Sequence, residues 1–353
     1  MRTDVLSARA LNRALLHRQM LLERSDLPLT EVVEGMGGIQ NQYAPAGYIG
    51  LWSRMREFER PMLTRALEER RVIQGTLMRA TIHVVSAADY WPMMAGIERI
   101  NREWYAKVQV REIGDTDLDQ VVAAARDELA DGPLRINELT ERLVGRGFPA
   151  RAAAWASFSV PMVRVPPSGT WDRRRADIYG LAEAWLPRPE ITEEQGIEVL
   201  IRRYLGAFGP APLKDIAGWM GLNVGQMRHV ADRMELRPFR DANGKPLVDL
   251  PDAPLPDPDV PAPPRFLAVW DALLLVHARR TQVLPEELRP LIFNTKTPHS
   301  HNTFLLDGQV AGTWRFDDGE IQLSPMRPLV AAERAELEEE AHRLAVFHKQ
   351  EGA

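Results

Sequence analysis

In the stretch GMGGIQNQYAPAGYIGLWSRM, residues 35–55, three carboxamides stand in a row: Gln40, Asn41 and Gln42. Gly35, Gly37 and Gly38 crowd the turn before them, and Tyr43, Pro45 and Trp52 follow. A carboxamide carries both donors and an acceptor at fixed geometry, so such a row suits base-edge contacts or the orientation of a water molecule. The plain alternative is a polar turn. Other chemistries have less to stand on. The chain has no cysteine, which excludes disulfides, thiolate metal sites and cysteine nucleophiles. His299 and His301 would share one face of a strand, but no third ligand accompanies them, so no metal is expected. The glycine-rich signatures of phosphate-cradling loops are missing, and no cofactor is expected. The G-x-S-x-G elbow of serine hydrolases is missing as well.

A second polar set lies in LMRATIHVV, residues 77–85. Alternation at period two puts Arg79, Thr81 and His83 on one strand face, with Met78, Ala80 and Ile82 on the other. The polar face is expected to stand beside Gln40. The competing reading is an ion-paired Arg79 and a hydrogen-bonded His83 between packed elements.

The elements that must hold these residues repeat along the chain. Pro212–Met220 reads as a helix, Gly221-Leu222 as a sharp turn, and Asn223 with Gln226 as a capping box opening a second helix. LRPFR and KPLVDL around Asp241–Gly244 then read as a hairpin. Helix, turn, helix, hairpin is a winged helix-turn-helix. Residues 116–187 repeat it: a helix capped by Thr116 and Asp119, another at Ile136–Val144, and a third from Pro149 past Trp155. Two strands flank Pro166–Gly169, with Arg173, Arg174 and Arg175 on the return strand. Residues 7–86 form a looser third copy, with helices from Ser7 and at Leu29–Glu34 and a strand pair in VIQGTLMRATIHVVSA. DLPDAPLPDPDVPAPP holds seven prolines and four aspartates and reads as an extended connector. Beyond it RFLAVWDALLLV, FLLDGQVAGTWRF and EIQLSPM are strand-like, and a helix from Leu329 to His348 closes the chain.

The expected architecture is therefore mainly α with small β-hairpins. Three tandem winged helix-turn-helix units occupy 1–110, 111–190 and 191–250. A linker spans 251–264, and 265–353 holds an antiparallel β region with the final helix.

Charge is unevenly spread. Net charge is −5, yet residues 317–353 alone carry −5 and 249–259 another −4, so the rest is +4. Of the 44 basic residues 39 are arginine, whose planar fork suits phosphate. No apolar run reaches membrane-spanning length, and the N-terminus lacks the pattern of a secretory signal, so a cytoplasmic protein is expected.

GIQNQYAPAGYIGLW, LMRATIHVVSAADYW, FGPAPLKDIAGWMGL, WDALLLVHARRTQVLPEE and FLLDGQVAGTWR occur in this order and span most of the chain. Together they resemble the bacterial winged-helix DNA glycosylase superfamily typified by AlkZ and YcaQ, in its Gln-x-Gln branch. The resemblance implies a C-shaped scaffold of three winged helices around double-stranded DNA, and hydrolysis of the N-glycosidic bond of N7-alkylguanine, crosslinked guanine included. It implies catalytic Gln40 and Gln42, and a DNA-entering hairpin at Asn294–Asn302. Asn41, Arg79, His83, Lys296, Thr297, His299 and His301 are then expected to contact DNA, with Arg79 on a phosphate. Two features depart from the family pattern: Asn41 replaces a small or aliphatic residue, and Lys296 is the hairpin's one permanent cation. A monomer associated with the nucleoid and without lyase activity is expected. The rivals are a non-catalytic transcription regulator built on the same helices, and a module recruiting a partner through the acidic C-terminal helix.

Overall fold

The computed structural model describes residues 4–113, 116–154, 156, 160–274, 278–294 and 299–350, with the backbone alone for 104–113, Asn294 and His299. After strand β1 (Asp4–Leu6), the Ser7 side chain accepts from the amide of Ala10 and opens α1 (Ala8–Arg18). Helix α2 (Leu29–Gly35) ends at Gly37 and Gly38, both left-handed at φ 71° and 81°. A Cβ on Gly38 would lie 2.9 Å from the Val85 side chain, so this turn has room only for glycine. There follow β2 (Ile39–Gln40), α3 (Ala44–Arg54), α4 (Arg60–Glu68), β3 (Val72–Thr76), β4 (Ile82–Ser86) and the long α5 (Ala87–Ile113).

The next stretch forms α6 (Leu118–Glu128), β5 (Leu134–Arg135), α7 (Ile136–Gly145), α8 (Ala150–Ala154), β6 (Met162–Arg164), β7 (Ile178–Leu181) and α9 (Ala182–Trp185). Its helices bury a core of their own around Val121, Leu139, Leu143 and Ala153. Two expectations need correction. Asp117, not Thr116, caps α6 by accepting from the amide of Asp119. Arg173, Arg174 and Arg175 lie in the loop between β6 and β7, because Gly169 folds back to bond the carbonyls of Arg173 and Arg175.

Helices α10 (Glu193–Phe208), α11 (Leu213–Met220) and α12 (Val224–Ala231) precede the hairpin β8 (Arg237–Asp241) and β9 (Pro246–Asp249). Gly221 ends α11 at φ 88°, and the Asn223–Gln226 capping box opens α12. Helices α11 and α12 and the hairpin are elements read from the sequence, whereas α10 was not among them. Helix α10 crosses α5 with backbones in contact: a Cβ on Gly196 would sit 2.3 Å from the Gly96 nitrogen.

Residues 250–264 form no helix or strand and run beside α1. Arg18 makes a buried two-bond contact with Asp249 at 2.8 and 2.7 Å and donates to the Pro254 carbonyl. Beyond it come β10 (Arg265–Leu267), α13 (Arg289–Ile292), β11 (Phe293–Asn294), β12 (His299–Ser300), β13 (Thr303–Leu306), β14 (Gln309–Asp317), β15 (Glu320–Pro325) and α14 (Ala331–Lys349). Of the described residues in RFLAVWDALLLV only the first three are a strand, since a turn begins at Val269 and Trp270 adopts φ 56°.

Two sheets position the site. One runs in the order β2-β4-β3-β6-β7-β5, so the strand pairs of the first two units fuse through β3 and β6 at Gln74 opposite Arg164. The other is antiparallel, β10-β13-β14-β15. Its Phe266, Phe304 and Trp314 share one core with Val32, Tyr48 and Leu63 from the N-terminal helices and with Leu344 and Phe347 of α14. No helix of the described residues is long and apolar enough to cross a membrane.

Candidate active site

Strand β2 is only two residues long, and Gln40 lies opposite His83 of β4. The Asn41 amide still bonds the Ile82 carbonyl at 2.8 Å before the chain leaves the sheet edge for α3. Extended backbone alternates its side chains, so Gln40 and Gln42 share one side and Asn41 takes the other. Asn41 is 1% exposed, and its Oδ1 accepts from the Gly47 amide at 3.0 Å near the start of α3. The middle amide is thus a structural brace. Its side chain is turned inward, with Nδ2 buried and without a hydrogen-bond partner among the described residues.

Arg79 decides how the two glutamines are oriented. Its Nη2 donates to Gln40 Oε1 at 2.7 Å, and Gln40 Nε2 donates to Gln42 Oε1 at 2.5 Å. A guanidinium has no acceptor, so the Gln40 oxygen must face Arg79 and its amino group must face Gln42. Gln40 is 6% exposed, whereas Gln42 is open to solvent. One amide is therefore an anchored relay, and the other presents its amino group and a second oxygen lone pair outward.

The strand face expected for Arg79 does not form. Met78–Ala80 is a short 3-10 turn in which Arg79 and Ala80 are left-handed, at φ 52° and 55°. This conformation carries the guanidinium toward the third unit, where Nη1 donates to the Trp219 carbonyl at 3.0 Å. That carbonyl lies in the last turn of α11, where a cation meets the negative end of the helix dipole. A Cβ on Gly221 just beyond would lie 3.5 Å from the Arg79 backbone. Burial, and then repulsion from Arg280, pushes Arg79 down to about 10, so it stays charged at neutral pH. No ion pair among the described residues involves it.

His83 is 2% exposed, and its Nδ1 meets the Thr81 carbonyl at 3.0 Å. The carbonyl only accepts, so Nδ1 carries the proton. Burial, and then Arg79, pushes its pKa down to about 3. It is a neutral, inward-facing histidine.

The expected hairpin is present at its base: Phe293 pairs with Ser300 and Asn294 with His299. Lys296 and Thr297 lie outside the described residues, as does the side chain of His299. His301 is exposed, and its amide bonds the Ile292 carbonyl at 3.0 Å. The hairpin base is tied to the glutamine site. Ser300 Oγ accepts from the Trp270 amide at 2.7 Å, and Asn302 Oδ1 accepts from the Val269 amide at 2.9 Å. Val269, Trp270 and Asp271 line the small cavity that Gln40 also lines. Asp271 is held by both Nη atoms of Arg54 at 2.9 Å each, a buried pair fixing this floor. Asp271, Trp219 and Arg54 show no role in the sequence, since an Asp in an apolar run, a helical Trp and a helical Arg carry no motif. Among the described residues no group of three or more His, Asp or Glu could hold a metal ion.

Fold and site together define a helix-rich protein whose paired carboxamides stand where its first and third helical units meet the C-terminal β region. The chain matches the profile of the DNA glycosylase AlkZ-like family over residues 33–347 and belongs to that family. It is similar to an interstrand DNA cross-link repair glycosylase of Streptomyces sahachiroi, 23% identical over 224 residues, a match spanning 59% of each protein. The structure of the Streptomyces sahachiroi DNA glycosylase AlkZ shares its fold, with a TM-score of 0.82 at 18% identity over 97% of each chain.

Proposed function

We propose that this protein is a monofunctional DNA glycosylase. It hydrolyses the N-glycosidic bond of N7-alkylguanine in duplex DNA, unhooks interstrand crosslinks among its substrates, and leaves an abasic site. The three helix–hairpin units act as winged helices forming a C-shaped cradle, with Arg-rich surfaces on the phosphates and the hairpin at 294–302 entering the duplex. The protein works as a monomer in the cytoplasm, on the nucleoid.

The observation that carries this reading is the Arg79–Gln40–Gln42 chain, in a member of the AlkZ-like family. A guanine alkylated at N7 already bears positive charge and leaves as a neutral base, so no general acid is needed. What remains is to place one water and stabilise an oxocarbenium-like sugar. The second lone pair of Gln42 Oε1 suits both tasks, and the bond from Gln40 holds that oxygen still, which is electrostatic preorganisation. Gln40 itself turns its oxygen to Arg79, so it positions Gln42 and does not face the sugar. A base tied to both strands has no route out of the helix, and a cleft acting on it in place meets that constraint.

The test is incubation with duplex DNA containing N7-methylguanine, followed by chromatography of released base. Release with intact abasic sites, and no borohydride-trapped adduct, is expected. Sequence-specific binding without release would establish the regulator instead.

A further inference from the structure

Beside the glutamines lies a pocket of about 270 Å³ whose lining includes Tyr43, Trp171, Arg174, Phe316 and His348. It adjoins the glutamine site, because Ala46, Ala268 and Val269 wall both this pocket and the cavity that Gln40 lines. Five of its lining side chains, Trp314 included, are planar rings. Tyr43 and Phe316 stand 38% and 37% exposed, while Trp171 is buried and meets His348 edge-on at 5.3 Å. His348 stacks on Phe316, with ring centres 4.3 Å apart and 15° between the planes. Its Nε2 is buried and has no hydrogen-bond partner among the described residues. Arg174 spans the rim: it is exposed, donates to the Tyr43 hydroxyl at 3.0 Å, and has no carboxylate within ion-pair distance among the described residues. A second guanidinium, Arg60, lies over Trp171 at 4.8 Å. Aromatic faces interleaved with free cations are what an unstacked nucleotide requires: rings for the base, a guanidinium for its phosphate. The size agrees, since pockets for drug-sized ligands start near 300 Å³ and one base needs less.

We infer that this pocket receives one undamaged nucleotide displaced from the stack beside the lesion, its base against Tyr43 and Phe316 and its phosphate on Arg174. The inference rests on the DNA reading above and extends it. A lesion tied to both strands stays in place, so access to its sugar is gained by moving a neighbour out. The pocket is a holding site for that neighbour.

The experiment uses the full chain with single-stranded and lesion-containing duplex oligonucleotides, each with 5-iodouracil at one of several positions. Long-wavelength ultraviolet light joins this base preferentially to an electron-rich side chain in contact with it, a stacked aromatic ring above all. Crosslinked peptides containing Tyr43 or Phe316 are expected. Tyr43→Leu, Phe316→Leu and Arg174→Ala each lie at exposed positions and leave the core intact, and each is expected to cut the yield about ten-fold or more. Crosslinks confined to other peptides, or none with either DNA form, overturn the inference. So does a yield untouched by the three substitutions. Base release from N7-methylguanine DNA is measured in parallel. Release without pocket crosslinks removes the holding site alone, and pocket crosslinks without release remove the glycosylase reading alone.

Discussion

Arg79 Nη2 holds Gln40 Oε1 at 2.7 Å across 39 residues of sequence, and this bond decides which way the paired amides point. Without the guanidinium, Gln40 could rotate by half a turn and offer Gln42 an oxygen where an amino group now stands. A carbonyl cannot donate, so the relay would break.

Arg79→Ala is expected to lower single-turnover excision roughly ten- to hundred-fold, the range of a lost hydrogen bond to a charged group. Both guanidinium hydrogen bonds, to the Trp219 carbonyl and to Gln40, are to protein, so the salt dependence of DNA binding should stay unchanged. Arg79→Lys, with one point of charge for two acceptors, should fall between. Wild-type excision with a salt slope reduced by about one charge would place Arg79 on a phosphate instead.

Gln42→Asp is expected to excise N7-methylguanine monoadducts at least as fast as the wild type, whereas Gln42→Ala and Gln40→Ala lose most activity. A carboxylate accepts from Gln40 Nε2 as an amide oxygen does, and Arg79 beyond it favours the ionised form. It also sets full negative charge beside the sugar cation. The side chain is one methylene shorter, which is the geometric risk. Single-turnover rates at saturating protein decide: if Asp is as inactive as Ala, Gln42 does not orient the water.

His83 should make the protein acid-sensitive. Its pKa is about 3 when folded, against 6.5 for the free side chain, so between these values the unfolded chain binds the extra proton. The stability concerned is fully present above pH 6.5 and is lost as pH falls toward 3. Each unit of that fall is worth roughly 1.4 kcal/mol, about 2 kcal/mol by pH 5. Denaturant unfolding of wild type and His83→Gln at pH 7 and 5 reads the difference. An equal pH 7-to-5 loss in both proteins removes His83 as the source, while His348, at about 4, adds a similar slope to both.

Two glycines of α10 should respond oppositely to alanine. At Gly196 the new methyl meets the Gly96 backbone at 2.3 Å and the Pro92 carbonyl at 2.6 Å, which forces α5 and α10 apart. Overpacking of this kind costs about 1–3 kcal/mol or more. At Gly206 nothing lies within 4 Å, so alanine should stabilise by up to about 1 kcal/mol through helix propensity. Thermal melts of both variants test this, and a Gly196→Ala melt at the wild-type temperature would contradict it.

Replacing the hairpin tip between Asn294 and His299 by a short glycine-containing turn should cut excision while leaving Tm nearly unchanged. The anchoring bonds from Trp270 and Val269 to Ser300 and Asn302 remain outside the replaced stretch. A large fall in Tm would make the segment structural, and retained excision would make it idle.

The sequence by itself determined what short-range chemistry can specify. Ser7 caps α1, Asn223 and Gln226 box the start of α12, and Gly221 ends α11, because each acts through bonds or torsions within a few residues. The three consecutive carboxamides and the glycine turn before them were legible for the same reason. Tertiary structure decided which carboxamides face outward and what holds them. Period two separates Asn41 from Gln40 and Gln42, but only packing against α3 buries Asn41, and only the bond from Arg79 holds the buried Gln40 beside the exposed Gln42. The alternation read into Arg79, Thr81 and His83 failed because Arg79 and Ala80 turn left-handed, a conformation these residue types do not favour. That turn is held where α11 ends, by the bond from Arg79 to Trp219, 140 residues away. No local signal encodes a contact between residues 40, 79 and 219, since it exists only once the first and third units have packed through Gly96 and Gly196.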